Sequence, residues 1–278
     1  MSQLAAAVPG PTSIGNLLQY WRKARNLSQL ALAHEAEVSP RHVCFLETGR
    51  SRPSREMVLL LASVLDVPLR ERNGLLLAAG FAPMYSETRL DDPELGPVRA
   101  ALAAILRQQE PYPAVVLNRH WDIIGSNDAA GRFFALLLGE ARAREPSNVL
   151  RMIFDPRGLR PYVSNWEAVA ETLIQRVQRE AVGGVQDGAT AKLLAEVLAY
   201  PDVPTNLREP KLGVPLLPVI PVRFHKAGDT YSYFSTVTTL GTPQDVTLQE
   251  VRIECFFPAD SHTEQLARKL AAASAASD

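Results

Sequence analysis

Basic and hydroxyl side chains are concentrated in one short stretch, Ser28–Arg52, in a pattern suited to binding nucleic acid. The fork of an arginine guanidinium can bind guanine O6 and N7 together, and serine hydroxyls and helix N-termini can hold phosphate. On a chain with a net charge of only −1, this stretch predicts a local basic surface. The basic residues in and beside it are Arg22, Lys23, Arg25, Arg41, Arg50, Arg52 and Arg55, against the acidic Glu35, Glu37 and Glu47.

Two short helices are predicted to position these side chains. Ser39 is a favourable N-cap, and Pro40 suits the first position of a helix because its missing N–H would have no intrahelical partner there. The second helix is therefore predicted to begin at Pro40 and to present its first turn outward, as a recognition helix does in the major groove. The apolar residues at helical spacing are Leu32, Ala33 and Ala36 in the first helix and Val43 and Leu46 in the second.

These positions predict distinct roles in DNA binding. We expect Arg41 to contact a base, Ser28 and Gln29 to hold a phosphate at the start of the preceding helix, and Arg50 and Arg52 to add charge against the backbone. The predicted DNA-binding residues are Ser28, Gln29, Ser39, Pro40, Arg41, His42, Cys44, Phe45, Arg50, Arg52 and Ser54.

The spacing of the motif residues favours this interpretation over a plain helical bundle with a solvated basic rim. Residues 13–80 resemble the Cro/C1-type (XRE) helix-turn-helix domain through S-Q-x-x-L-A, V-S-x-R-x-V-x-x-L-E-x-G-R-x-R-P-S and L-A-x-x-L-D-V. The resemblance implies an all-α, five-helix, lambda-repressor-like fold that binds double-stranded DNA. Glu37 departs from the family, which usually has glycine there to adopt a left-handed turn, a conformation that can cost a non-glycine residue roughly 1 kcal/mol.

Charge and composition predict two domains. Residues 1–85 contain nine Lys and Arg against six Asp and Glu, whereas the chain as a whole has 29 against 30, so the acidic excess lies in the remainder. The prolines and the charge change after Gly80 indicate a linker. The predicted segments are a disordered N-terminus over 1–11, the helix-turn-helix domain over 12–82, the linker over 83–92, a second domain over 93–270 and a disordered tail over 271–278.

The second domain is predicted to be α+β. A hairpin is expected from Val115–Leu117 and Trp121–Ile124, Asn127 caps the next helix, and Ser164 with Glu167 forms a capping box before a long amphipathic helix. Residues 183–188 are expected to form a loop, and six prolines over 200–221 favour extended chain.

Strand periodicity returns near the end of the second domain. Residues 230–240 are rich in strand-favouring types, and from Gln249 the chain alternates between an apolar face and a mainly solvated one. The resulting antiparallel sheet is expected to be covered by helices on one side. The expected core face carries Val251, Ile253, Cys255 and Phe257, and the expected wet face Glu250, Arg252, Glu254 and Phe256.

A second resemblance covers most of residues 92–270. VVLNRHWDIIGSNDAA, followed by NVLRMIFDPRGLRPYVSNWEAVAETLIQRVQREA, is similar to the MmyB-like ligand-binding domain, which has a PAS-like fold. The resemblance implies a bacterial, cytoplasmic transcription regulator whose sensor holds a fatty acid or a similarly apolar small molecule.

Aromatic and basic side chains are the candidates for such a ligand site, although each aromatic residue is also compatible with ordinary core packing. The candidate pocket residues are Trp121, Phe133, Phe134, Arg160, Trp166, Tyr231, Tyr233 and Phe234. For an anionic head group, the further candidates are Arg119, His120 and Arg223.

Other function classes find little support in the sequence. The five histidines and two cysteines share no metal-ligand spacing, no G-x-S-x-G elbow is present, and no apolar run reaches the roughly 18 residues that span a bilayer. We therefore expect no enzyme, metal site, cofactor or membrane association. A homodimer is expected because such DNA readers bind paired half-sites. The alternative for the second domain is a ligand-independent module for dimerisation or protein interaction.

Overall fold

A computed structural model describes residues 13–143, 145, 147–183, 188–208 and 221–275. The chain divides into two compact units whose main boundary lies between Glu87 and Thr88. All of the predicted disordered N-terminus and the last three residues of the predicted tail lie outside the described residues. The rest of the predicted tail is helical, because the alanine-rich sequence 271–275 has a high helix propensity and continues the preceding helix.

The first unit consists of helices, five among its described residues, and their starts agree with the capping residues in the sequence. Serine hydroxyls at Ser13, Ser28, Ser39 and Ser54 each accept a hydrogen bond from a backbone N–H in the first turn of the following helix. The helices are α1 (Ile14–Ala24), α2 (Gln29–Glu35), α3 (Pro40–Glu47), α4 (Arg55–Val64) and α5 (Leu69–Ala78). The predicted apolar residues of α2 and α3 lie in the core of this unit with Leu18, Trp21 and Leu61.

Two backbone positions in the first unit restrict the residue type. Glu37 has a φ of 54°, so the turn before α3 does adopt the left-handed conformation that glycine usually takes. A Cβ on Gly15 would lie 2.5 Å from the carbonyl oxygen of Glu47, which means that α1 packs directly on the backbone at the end of α3. Glycine at position 15 therefore allows α1 and α3 to pack at this short distance.

The second unit is an α+β domain with one antiparallel sheet, in the strand order β2-β1-β5-β4-β3. Its strands are β1 (Ala114–Leu117), β2 (Ile123–Ser126), β3 (Val222–Lys226), β4 (Asp229–Thr239) and β5 (Arg252–Pro258). Its helices are α6 (Gly96–Gln108), α7 (Asp128–Leu138), α8 (Glu140–Ala143), α9 (Val149–Phe154), α10 (Trp166–Gly183), α11 (Gly188–Ala199), α12 (Val246–Glu250) and α13 (Ser261–Ala275).

Both faces of this sheet are covered, so the prediction of one covered side was wrong. On one face, Val116, Ile253 and Cys255 pack with Leu102 of α6. The other face packs against the larger core that includes α7, α9 and α10. Glu254 lies on this second face and is only 8% exposed, because the helices enclose the side of β5 that the alternation pattern assigned to solvent.

Three local predictions differ from the structure. Trp121 lies in the turn of the first hairpin with a φ of 67°, so β2 begins at Ile123. Ser164 does not cap α10, because this helix begins at Trp166 and the Ser164 hydroxyl instead donates to the backbone oxygen of Arg223. In the proline-rich region, Thr205–Arg208 forms a 3-10 turn rather than extended chain. Residues 184–187 and 209–220, where the rest of the predicted loop and extended segment fall, lie outside the described residues.

Candidate nucleic-acid interface and ligand cavity

The N-termini of α2 and α3 are fixed by their serine caps. The Ser28 hydroxyl accepts from the N–H of Ala31 at 3.0 Å, and the Ser39 hydroxyl accepts from the N–H of His42 at 3.1 Å. Each cap leaves the serine O–H free to act as a donor, and phosphate oxygens are acceptors. Both caps are exposed, so the two helix starts predicted to meet DNA are accessible.

Two arginines, Arg41 on α3 and Arg50 just after it, lie around one aromatic ring. The guanidinium carbon of Arg41 lies 5.1 Å from the centre of the Phe45 ring, and that of Arg50 lies 5.8 Å from it. Arg41 and Arg50 are exposed, whereas His42, Cys44 and Phe45 are partly exposed. The structure thus brings these predicted contact residues to one surface formed by α3 and the segment that follows it, and Pro40 is exposed at the start of the helix.

Arg22 does not belong to the basic surface, contrary to the sequence-based grouping. Its Nε and a terminal nitrogen donate to the two carboxylate oxygens of Glu47 at 2.6 and 2.8 Å, and both side chains are buried. The Gln29 amide also donates to Glu47, at 2.8 Å, so this predicted phosphate contact is engaged inside the unit. One carboxylate therefore connects α1, α2 and α3.

Hydrogen bonding determines the ionisation of this buried pair. The hydrogen bond to Glu47 raises the pKa of the Arg22 guanidinium. Burial alone would raise the pKa of Glu47, but the hydrogen bonds from Arg22 and Gln29 outweigh burial and lower it. The pair is consequently ionised at neutral pH, with its charge compensated internally.

The remaining predicted DNA contacts flank α3. Ser54 caps α4 by accepting from the N–H of Met57 at 3.2 Å, and it is exposed. Arg52 is also exposed, and in the described part of the chain its guanidinium has no hydrogen bond or ion pair. By contrast, Arg25 donates to the backbone oxygens of Leu65 and Asp66 and is held against α4.

The second unit contains a cavity of about 510 Å³ between one face of its sheet and helices α7, α9 and α10. Most of the described residues that line it are apolar. They are Pro113, Val115, Phe133, Phe134, Val149, Met152, Ile153, Leu159, Val169, Leu173, Val222, Phe224, Val237 and Phe256. The polar ones are Thr172, Arg176, Ser235, Thr236 and Glu254.

Two of the predicted pocket residues, Phe133 and Phe134, line this cavity. Phe133 is central, since its ring packs edge-on against those of Phe224, Tyr231 and Tyr233 at centroid distances of 5.2, 5.7 and 5.3 Å. The two tyrosines are buried in the core and are not among the described lining residues.

The other predicted aromatic residues are placed elsewhere. Trp166 packs on Phe154 in the core, with the guanidinium carbon of Arg160 at 4.1 Å from its ring centre. Phe234 stacks on Phe257 with ring centres 5.5 Å apart, and these side chains alternate with the cavity-facing residues of β4 and β5. None of these residues is among the described residues that line the cavity.

Trp121 is fully buried between two cations. The guanidinium carbons of Arg176 and Arg252 lie 4.6 and 4.7 Å from its ring centre. Arg176 lines the cavity as well, so one side chain contacts both the cavity and the hairpin turn.

The basic residues predicted to hold an anionic head group are not among the described lining residues. Arg119 pairs with Glu250 at 3.3 Å, Arg223 is exposed, and His120 accompanies Arg119 in the hairpin turn. The structure instead places Arg176 and Glu254 on the cavity wall. Arg176 follows Val169, Thr172 and Leu173 at helical spacing, a signal by which the sequence could have identified it.

Neither a metal site nor a membrane-spanning helix is found among the described residues. No group of three or more His, Cys, Asp or Glu side chains is arranged to hold a metal ion. Among the same residues, no helix combines the length and the apolar character needed to cross a membrane.

Comparisons with known proteins match each unit to a protein family model. A family model described as MmyB-like transcription regulator ligand binding domain matches residues 98–270, and one described as helix-turn-helix matches residues 18–72. The first match contains the whole described cavity wall, and the second contains all the predicted DNA-binding residues.

No curated protein sequence matches the chain. A solved structure titled "Structure of an RNA-binding Light-Oxygen-Voltage Receptor" is similar at 13% identity over 96% of this chain, with a TM-score of 0.24. This chain spans 64% of that structure's length, and the score does not establish a shared fold.

Proposed function

The chain belongs to the family with an MmyB-like transcription regulator ligand binding domain, and on that premise we propose that it controls transcription in response to a small, largely apolar molecule held in the cavity. Its helix-turn-helix makes it a DNA-binding regulator. The observation that carries the proposal is a roomy, mostly apolar cavity inside the domain whose family is named for ligand binding.

The first unit supports sequence-specific binding to double-stranded DNA. Arg41 is exposed on the first turn of α3, where a recognition helix contacts base edges. Exposed Arg50 and Arg52 supply charge for the phosphate backbone. We propose that two copies bind together, since paired half-sites roughly 34 to 36 Å apart increase both affinity and specificity.

The second unit supports an apolar effector. Its cavity volume lies within the roughly 300–1,000 Å³ that is usual for small-molecule sites, and its few polar groups provide a means of orienting a ligand. A fatty-acyl chain is the ligand class that we propose for the apolar walls. Such a ligand changes DNA affinity only if it binds the DNA-competent and DNA-incompetent states unequally.

Native mass spectrometry of the purified chain, with and without DNA from its own promoter region, tests this function. We expect a copurified molecule of small mass whose presence alters DNA occupancy. Leu173→Trp, which fills the cavity, should remove that molecule and make DNA occupancy insensitive to it. Ile124→Trp is the matched control, because Ile124 is 41% exposed on β2 and outside the cavity.

The outcomes separate this function from the alternative. A ligand-free protein that binds DNA as a dimer, with identical DNA affinity in the wild type and in Leu173→Trp, would contradict ligand sensing. It would favour a constitutive regulator whose second unit serves assembly. Circular dichroism of both variants establishes that the tryptophan substitutions leave the fold intact.

A further inference from the structure

The cavity contains a carboxylate that the expected apolar ligand does not by itself explain. Glu254 lines the cavity wall and is 8% exposed. Ionised carboxylates are costly to bury unless they are paired, and a side chain without a role at this position would be expected to be apolar.

The partners of Glu254 leave much of its acceptor capacity unused. The Ser235 hydroxyl donates to its Oε1 at 2.6 Å. Among the described residues, no cationic side chain forms an ion pair with Glu254, and no second donor reaches it. An ionised carboxylate offers about four lone-pair sites, so one hydroxyl satisfies only a small part of them.

Strand register fixes this pair inside the cavity. Glu254 lies opposite Val115 on β1 and Val237 on β4, and both valines also line the cavity. Ser235 lies two residues from Val237 on the same face of β4, diagonal to Glu254. The pair therefore belongs to the rigid centre of the sheet and forms a fixed polar point on an otherwise apolar wall.

We infer that Glu254 and Ser235 select a ligand whose head group is an N–H or O–H donor, such as an amine, alcohol or amide, carried on the apolar body. This inference rests on the proposed function, because it names the head group of the same cavity's ligand. A protonated amine gains a charge-assisted hydrogen bond to Glu254, an alcohol donates a neutral hydroxyl, and a free carboxylate is repelled there.

Arg176 is the competing polar anchor on the wall. Its guanidinium is held over the Trp121 ring, with the carbon 4.6 Å from the ring centre. A carboxylate head group would approach Arg176, whereas a donor head group would approach Glu254. An amide can satisfy both, because its N–H donates and its carbonyl accepts.

Three ligands with the same eight-carbon chain separate these choices: octylamine, 1-octanol and octanoate, each titrated calorimetrically into the full chain at pH 7. We expect octylamine to bind at least about tenfold more tightly than octanoate, with 1-octanol between them. Glu254→Gln should reduce the preference for octylamine over octanoate to within about threefold. Ser235→Ala keeps the carboxylate and should retain the order of the three ligands.

Control variants make each outcome interpretable. Glu167→Gln removes an exposed carboxylate from α10 and should leave the three affinities unchanged. Tightest binding of octanoate, lost in Arg176→Gln, would overturn the inference in favour of an anionic ligand. Equal binding of all three ligands would overturn it while leaving an apolar-ligand function standing, and no binding of any of them would count against both. If Glu254→Gln failed to fold, the order of the three ligand affinities in the wild type would still test the inference.

Discussion

Replacement of Glu47 by glutamine should destabilise the first unit by about 3 kcal/mol, because it leaves the buried Arg22 guanidinium without a counter-charge. The side chains of Arg22 and Glu47 are only 10% and 1% exposed, so solvent cannot compensate the lost charge. Removing one partner of a buried pair typically costs about 3 to 5 kcal/mol, and the retained amide oxygen places this variant at the lower end. The loss is large against total stabilities of about 5 to 15 kcal/mol.

Amide hydrogen exchange followed by mass spectrometry can measure this change in the full chain, because it reports on peptides of each unit separately. Protection of α1 and α3 should fall by about a hundredfold in Glu47→Gln, while peptides from β4 and β5 remain unchanged. Glu35→Gln, an exposed change on α2, is the matched control. The double variant Arg22→Met with Glu47→Leu should recover most of the protection, since apolar replacements avoid a buried unpaired charge.

The same pair determines a pH dependence. The folded-state pKa of Glu47 is lowered, so its contribution to stability is fully present above the pKa of the unfolded chain and is lost as pH falls through the folded-state pKa. As pH falls, the hydrogen-exchange protection of the wild type should therefore decrease more steeply than that of the double variant Arg22→Met with Glu47→Leu. A less than threefold loss of protection in Glu47→Gln, or identical acid profiles, would refute this account of the buried pair.

Four other substitutions test the first unit. Arg41→Ala should reduce operator affinity by on the order of 1 to 3 kcal/mol and relax sequence preference, as measured by binding to a panel of operator variants; unchanged preference would contradict its base contact. Arg52→Ala should weaken binding to all DNA sequences about equally and lower the salt dependence by roughly one phosphate contact, and a sequence-dependent effect would argue against that role. Gly15→Ala should destabilise the unit by about 1 to 3 kcal/mol in urea unfolding, whereas Gly74→Ala, whose added methyl meets no atom within 4 Å, should not. Glu37→Gly should stabilise it by up to about 1 kcal/mol because its φ is 54°, and a loss of stability would show that the glutamate side chain matters more than the turn.

Features that depend on neighbouring residues were predictable from the sequence. Ser39 and Pro40 specify the start of α3 through the cap and the missing proline N–H, and both interactions lie within one turn of the chain. Asn127 likewise caps α7 as predicted, with its side chain accepting from the N–H of Ala130. The order of helices in the first unit followed from such local signals.

Features that depend on distant residues were not predictable in the same way. The alternation around Glu254 correctly separated the two faces of β5, but it could not show that helices from elsewhere in the chain would enclose the polar face. Arg22 appeared to be one of several surface cations because its partner, Glu47, lies 25 positions away. In both cases the environment of a charged side chain was set by tertiary packing.

The position of Trp121 should make its fluorescence sensitive to what the cavity holds. Indole emission responds to nearby charge, and this ring lies between Arg176 and Arg252 with no exposure to water. Since Arg176 also forms part of the cavity wall, an occupant that displaces its guanidinium changes the electric field on the ring. We therefore expect an occupant of the cavity to change the Trp121 contribution to the intrinsic fluorescence, which can be separated from that of Trp21 and Trp166 by replacing those two residues.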